Sequence, residues 1–169
     1  MAKALGANVI VVDPRPGHAT RLRFPSADRL MAAEPQTAVD LLSLDGNSLA
    51  LVMNHHYSQD LAALGALLPT PIRYLGVLGP KRRTARLLED LAAHGVVATE
   101  AQLARMYSPV GLDIGAETPD EVGLAIVAEM KAVLAGRRGG SSRERTGPLH
   151  ERPDPMPDSP HLALTRAAA

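Results

Sequence analysis

The sequence predicts a three-layer α/β fold with a mainly parallel sheet. Short apolar runs rich in β-branched residues alternate with longer segments of helical periodicity, which is the pattern of strand–helix–strand units. The runs are apolar without interruption, as expected of parallel strands that helices cover on both faces. Hydrophobic residues make up 46% of the 169 residues, enough for one domain with a substantial core. The predicted fold class is α/β and Rossmann-like.

Each predicted element has its own local signal. Strands are predicted where aliphatic residues run together, at 8–13, 28–32, 48–53 and 72–78. Helices are predicted from periodicity at 35–42, 58–68, 81–95, 99–106 and 119–134. Thr118, Pro119 and Glu121 mark the start of the last helix, because together they form a capping box with Pro at the first helical position.

The first predicted strand lacks the segment that normally precedes it in a dinucleotide-binding unit. Such a unit begins with a strand, a Gly-x-Gly-x-x-Gly turn and a helix, and its second strand ends in an acidic residue. Strand 8–13 resembles that second strand, with Asp13 in the position of the ribose-binding acid. We therefore expect a unit without its first strand and Gly-rich turn, through truncation of the sequence or loss of the strand. Asp13 before Pro14 is equally a turn former, so its role stays open.

Composition sets the domain boundary and excludes several classes of function. The domain is predicted at residues 1–135, and residues 136–169 form a predicted disordered tail, because they are rich in Pro, Gly and Arg and lack apolar periodicity. The 18 basic and 18 acidic residues cancel, which argues against a nucleic-acid binder. The sequence has no apolar run long enough to span a membrane and no signal-peptide pattern. Without cysteine it has no thiolate metal site or thiol nucleophile, and a cytoplasmic location fits.

Polar, turn-rich segments follow the predicted strands, where doubly wound sheets bind ligands. They lie at 13–25, 54–60, 79–83 and 108–121. In 54–60, we expect Asn54 and Asp60 to cap the next helix, which would direct His55 towards a pocket. His55 and His56 are adjacent and point to different sides, so a metal site is not predicted.

Segment 79–83 places three cations, Lys81, Arg82 and Arg83, in the first turn of a helix. That turn already carries partial positive charge, and no acid follows three or four positions later to form helical ion pairs. Free helix amides with three cations form an anion site, and Gly79 lets the backbone approach a ligand closely. The alternative is a solvated basic turn whose cations pair with distant acids such as Glu117.

The segment 108–121 contains Gly111 and Gly115 on either side of Asp113. A buried Asp113 would fix the loop amides by hydrogen bonds beside a ligand. A purely structural loop is the equal alternative.

Four segments in this order and spacing carry a family resemblance: "VVDPRP…RFPSAD", "VMNHHYSQDLAAL", "YLGVLGPKRRTARLL" and "YSPVGLDIGAETPDEVGLAIVAEMKAVLAGR". Together they resemble the C-terminal Rossmann domain of the XdhC (XdhC/CoxI) family of xanthine dehydrogenase accessory proteins, over roughly residues 1–137. The resemblance implies a chaperone for the molybdenum cofactor (molybdopterin). Such a protein binds the cofactor, supports its sulfuration with a cysteine desulfurase, and delivers it to apo xanthine dehydrogenase or a related molybdenum hydroxylase. The family's N-terminal domain has no counterpart in the sequence.

The sequence favours a carrier over an enzyme, because we find no nucleophile with a matching base. The loops 54–60, 79–83 and 108–117 would form the mouth of the pocket. The alternative is an NAD(P)-dependent oxidoreductase, which the fold and Asp13 suggest and the absent Gly-rich turn opposes. A homodimer is also expected, because an unpaired apolar strand edge at 8–12 invites pairing with another chain. The candidate cofactor-binding residues are Asp13, Asn54, His55, Gly79, Lys81, Arg82, Arg83, Gly111 and Asp113.

Overall fold

The structure is a computed structural model that describes residues 1–54, 56–144 and 146. The chain consists of two units, Met1–Gly139 and Gly140–Ala169. The strands and α-helices of the described residues lie in the first unit, and a 3-10 turn at Ser142–Glu144 belongs to the second. Most of the predicted disordered tail falls outside the described residues, so its disorder stays a prediction.

The elements follow the alternation that the sequence predicts. A 3-10 helix at Ala2–Leu5 precedes the first strand. The strands are β1 (Ile10–Val12), β2 (Arg29–Met31), β3 (Leu49–Val52), β4 (Tyr74–Val77) and β5 (Met106–Tyr107). The helices are α1 (Pro35–Leu41), α2 (Tyr57–Leu67), α3 (Lys81–Ala93), α4 (Glu100–Ala104) and α5 (Pro119–Leu134).

The strands pair in parallel, in two groups. β1 pairs with β2, and β4 lies between β3 and β5. The prediction of an α/β, Rossmann-like fold with a parallel sheet is confirmed. Four strands have one hydrogen-bonded neighbour among the described residues and so leave one edge open: β1, β2, β3 and β5.

The strand β4, with a neighbour on each side, is more buried than β1, which has an open edge. β4, which has neighbours on both sides, is buried at every residue. β1 is only half-buried along its length, although its apolar run predicts burial on both faces. That expectation is wrong, because β1 has a neighbour on one edge only in the part of the chain that the structure describes.

The core is aliphatic, in keeping with the 2% aromatic content. It lies between β3, β4, α2 and α3, and its fully buried side chains include Leu64, Ile72, Leu75, Val77 and Leu87. Burying each such side chain contributes about 1.5–3 kcal/mol. The core therefore fixes α2 and α3 on the strands whose carboxyl ends carry the candidate site.

One predicted helix ends earlier than expected. Segment 99–106 forms α4 only as far as Ala104, and Met106 and Tyr107 form β5 beside β4. Between them, the Arg105 guanidinium donates to the backbone carbonyls of Leu68, Thr70 and Ile72 at 2.6–2.7 Å. These tertiary contacts hold the chain extended after Arg105, although the apolar periodicity alone predicts a helix up to residue 106.

Candidate functional site

Three of the predicted loops meet at the carboxyl end of β3, β4 and β5. α2 begins directly after β3, and α3 begins directly after β4. The backbone N–H of Val110 donates to the Val77 carbonyl at the end of β4 (3.3 Å), which places loop 108–118 at the same edge. The hydroxyls of Thr84 and Ser108 lie 2.6 Å apart and join the first turns of α3 to that loop.

A buried ion pair joins the first turns of α2 and α3. Asp60 is fully buried, and its Oδ2 accepts from Arg83 Nη2 at 2.6 Å and Nε at 3.2 Å. Its Oδ1 accepts from the backbone N–H of Asn54 at 3.1 Å. The sequence assigns Asn54 and Asp60 to capping α2, but the N-cap residue is His56. No described side chain forms a capping hydrogen bond at the start of α2, so the capping prediction is wrong, and Asp60 closes the loop by accepting from the Asn54 N–H instead.

The ring of Tyr57, the first residue of α2, supports two arginines. The guanidinium carbons of Arg83 and Arg86 lie 5.4 and 5.5 Å from the ring centroid, within cation–π range. The Tyr57 hydroxyl donates to Asp90 Oδ2 at 2.6 Å. Desolvation and this hydrogen bond raise the pKa of Tyr57, so the phenol stays neutral and the ring is fixed between the helices.

Four residues line a pocket of about 300 Å³, which we call the arginine pocket. They are Tyr57, Arg82, Arg83 and Arg86. Lys81 is exposed and does not line it. Gly79, just before α3, has φ +123°, and a Cβ there would lie 3.3 Å from Arg83 Cδ. Glycine at position 79 therefore leaves room for the Arg83 side chain to reach Asp60.

Asp13 lies at the end of β1 and is held by its own loop. Its Oδ1 accepts from the Arg15 backbone N–H (3.0 Å) and Nε (2.9 Å), and its Oδ2 accepts from Arg15 Nη2 (2.7 Å). His18 Nδ1 lies 3.9 Å from Oδ2. Both carboxylate oxygens thus accept hydrogen bonds within a local turn. This geometry is that of a turn former, the alternative to a ribose-binding acid.

Loop 108–117 is tied to α5 by Glu129, not by Asp113. Glu129 Oε2 accepts from the Tyr74 hydroxyl (2.5 Å) and from the Gly111 backbone N–H (2.9 Å). Asp113 is exposed, so the expectation of a buried Asp113 that fixes the loop amides is wrong. Gly111 has φ +105°, and a Cβ there would lie 3.2 Å from the Ala125 Cβ. The glycine allows the loop to approach α5 closely.

Residues 1–130 match the family model of the XdhC Rossmann domain. The chain belongs to the XdhC family. It is 36% identical over 130 residues to a probable subunit of the xanthine dehydrogenase of Bacillus subtilis (strain 168), and the match covers 77% of this chain and 37% of that protein. It is 34% identical over 140 residues to the uncharacterized protein YqeB of Escherichia coli (strain K12), covering 82% and 25%.

The chain is also similar to a protein of known structure. The crystal structure of a xanthine dehydrogenase from Bacillus halodurans aligns with a TM-score of 0.69 at 32% identity, over 80% of this chain and 39% of that one. The XdhC chain thus spans well under half the length of these relatives. The family resemblance predicted from the four loops is confirmed.

The XdhC fold gathers only part of the predicted site. Gly79, Arg82 and Arg83 lie at the arginine pocket or directly beside it, and Asn54 contacts it through Asp60. The described hydrogen bonds and ion pairs do not connect Asp13 or Asp113 to it. His55 lies outside the described residues.

The described part of the XdhC chain contains neither a cluster of metal-binding side chains nor a membrane-spanning helix. Its His, Asp and Glu side chains form no group of three or more that could hold a metal ion. Among the helices of residues 1–54, 56–144 and 146, none has the length and apolar character needed to cross a membrane.

The Asp13 turn predicts a pH dependence of XdhC stability. Hydrogen bonds from the Arg15 side chain lower the pKa of Asp13 from 3.8 to about 2. A lowered pKa in the folded state adds stability above the unfolded value, and that stability is lost as the pH falls from about 4 to about 2. Between pH 6 and pH 3 we expect the wild type to lose about 1 kcal/mol that Asp13→Asn does not lose. Urea unfolding at both pH values tests this, and an equal pH dependence in the two proteins would contradict it.

Proposed function

We propose that this chain is an accessory protein of a xanthine dehydrogenase or a related molybdenum hydroxylase, and that it binds the molybdenum cofactor and delivers it to the apo enzyme. Membership of the XdhC family supports the proposal, as do relatives described as a xanthine dehydrogenase and as a probable part of one. The observation that carries it is the arginine pocket, which lies where the helices follow the carboxyl ends of β3 and β4. Ligands of open α/β sheets bind at that edge.

The residues present fit a cofactor that bears a phosphate. Arg82 and Arg86 are exposed, line the pocket and would donate to phosphate oxygens. Arg83 is already fixed by Asp60 and would add charge without moving. The bound cofactor supplies the molybdenum chemistry of the target enzyme, while this chain would bind it, orient it and release it. Because the chain has no cysteine, sulfuration would need a partner, for which we propose a cysteine desulfurase.

An NAD(P)-dependent oxidoreductase is the weaker candidate. It rests on the fold class and on Asp13 as the ribose-binding acid. Both oxygens of Asp13 already accept hydrogen bonds from Arg15, so ribose binding would first have to displace the guanidinium. We therefore favour the cofactor carrier.

We also propose that the chain forms a homodimer. β1 and β3 each present one open edge in the described residues, and such edges pair readily with other strands. β1 is short, apolar and half-buried, which suits burial against a second copy.

Maturation of a target enzyme tests the proposed function. A xanthine dehydrogenase encoded in the same genome is purified from cells with and without this chain, and its molybdopterin content and activity are measured. We expect both to be higher when the chain is present. Equal molybdopterin content in the two preparations would contradict the role of cofactor carrier.

A further inference from the structure

The two groups of parallel strands together lack one strand in the described residues. In a doubly wound dinucleotide-binding sheet, the third strand pairs with the second, the second with the first, and the first with the fourth. The pair of β2 and β1 corresponds to the third and second strands, and β3, β4 and β5 correspond to the fourth, fifth and sixth. The first strand of this order would lie between β1 and β3, at a place that we call the strand gap.

Two contacts hold the strand groups together around the strand gap. Helix α1, which follows β2, packs against α2, which follows β3. A Cβ at Gly123 of α5 would lie 3.6 Å from Met1 Cε, so the residues before β1 contact α5, which itself packs against β4. The strand gap is therefore bordered by Ile10–Val12 on one side and by Leu49–Val52 on the other.

The backbone of β1 presents unpaired groups to the strand gap. The Asp13 N–H donates to the Met31 carbonyl at 3.1 Å, so the residue that follows β1 faces β2. Successive residues of a parallel strand direct their N–H and C=O groups to opposite sides. Ile10 and Val12 therefore face the strand gap, without a backbone partner in the described part of the chain.

β3 presents a matching set from the other side. The Leu78 N–H donates to the Val52 carbonyl at 2.9 Å, so Val52 faces β4, and Leu49 and Leu51 face the strand gap. β1 and the first three residues of β3 are half-buried. Because a buried backbone group without a partner costs about as much free energy as a lost hydrogen bond, both edges favour an added strand.

We propose that the strand gap binds one extended polypeptide segment from outside residues 1–169, parallel to its two neighbours and hydrogen-bonded to both. The segment is rich in Val and Ile and free of Pro, because a central parallel strand is covered on both faces and uses every N–H. The carboxyl end of the strand gap is the point where the strand order reverses, at which doubly wound sheets bind ligands. The added strand would therefore also complete the ligand crevice, whichever cofactor the chain carries.

The chain itself offers no better occupant. Every strand of the described residues already has a neighbour, so none in a second copy is free on both edges. The C-terminal residues 136–169 contain no Val or Ile and five Pro. An inserted strand and the homodimer proposed above would compete for the edge of β1.

Titration of the full chain with a synthetic peptide tests the strand gap. The probe has about five Val and Ile residues, the usual length of a strand, between pairs of Lys, and its control has Pro at the central position. We expect saturable binding of the probe and at least about tenfold weaker binding of the control, because Pro removes a ladder donor. Amide hydrogen exchange should slow about tenfold or more in both strands, at Ile10, Val12, Leu49 and Leu51.

Two proline variants of the chain add a matched comparison. Val12→Pro removes an N–H that faces the strand gap and should weaken probe binding about threefold to tenfold, the loss of one hydrogen bond. Leu30→Pro is the control, because the Leu30 N–H faces the outer edge of β2, and we expect less than about a twofold change. Thermal melts check that both variants fold, and the peptide pair tests the wild type independently of them.

Several results would overturn the inserted strand. Equal binding of the probe and its Pro control would show unspecific apolar adsorption, and slowed exchange in β1 or β3 alone would show pairing at a single edge. Slow exchange in both strands of the monomer without probe would assign the strand gap to the chain's own residues. The same protection appearing only when the chain dimerises would assign it to a second copy. Failed enzyme maturation together with probe binding would contradict the proposed function and leave the strand gap in place.

Discussion

Arg83→Met should lower the free energy of unfolding by about 3 kcal/mol. Breaking a buried ion pair by removing one partner costs about 3–5 kcal/mol, because the other charge stays buried without compensation. Asp60 is fully buried, whereas 27% of the Arg83 side chain is exposed, so we expect the lower end of this range. Methionine keeps the length and apolar contacts of the side chain, so the loss reports the charge. Urea unfolding measures it.

Arg82→Met is the matched control, since it removes an exposed neighbouring arginine. We expect a change within about 0.5 kcal/mol, as for most surface substitutions. Asp60→Asn should cost less than Arg83→Met, because an amide still accepts from the Asn54 N–H and leaves no buried charge. If Arg83→Met and Arg82→Met have the same free energy of unfolding, the ion pair between Asp60 and Arg83 does not stabilise the fold.

Glu129→Ala is expected to cost about 2–4 kcal/mol. It removes the acceptor of two donors, the Tyr74 hydroxyl and the Gly111 N–H. Tyr74 is fully buried, and a buried donor without a partner costs about 1–3 kcal/mol. Burial is the main cause that raises the pKa of Tyr74 and it persists without Glu129, so the hydroxyl remains a donor in the variant. Loop 108–117 should also loosen, which hydrogen exchange at Gly111 would report.

Two further variants separate the hydrogen bonds from packing. Glu129→Gln keeps an acceptor and should recover most of the loss. In a Tyr74→Phe background one of the two donors is absent, so Glu129→Ala should cost about 1–2 kcal/mol less than in the wild type. Equal costs for Glu129→Ala and Glu129→Gln would show that the Glu129 acceptor is not what holds the loop.

Elements that depend on local sequence signals are predicted correctly. The alternation of apolar runs and helical segments predicts all of the long elements, and Thr118 forms the capping box that its spacing implies. β5 is not predicted, because two residues carry no periodicity and their extended shape depends on Arg105 contacts with distant carbonyls. Burial of β1 is overestimated from its apolar run, whereas the absent first strand correctly predicts the open edge that β1 has among the described residues.

The candidate site is predicted less completely, because its contacts are distant in sequence. Arg83 reaches Asp60 across 23 positions, a pairing that helical spacing within α3 does not reveal. The carboxylate that fixes loop 108–117 comes from Glu129 on α5, not from Asp113 inside the loop. Arg86 is not among the predicted residues, although the sequence contains a signal for it: it follows Arg82 by four positions, so both lie on the same side of α3.

Native mass spectrometry tests the central claim most directly. The full chain is mixed in turn with released molybdenum cofactor and with NAD, and the bound mass is read in each case. Our account predicts a complex with the cofactor, weakened by Arg82→Gln and Arg86→Gln and retained by Lys81→Gln, and no complex with NAD. A complex with NAD and none with the cofactor would contradict it.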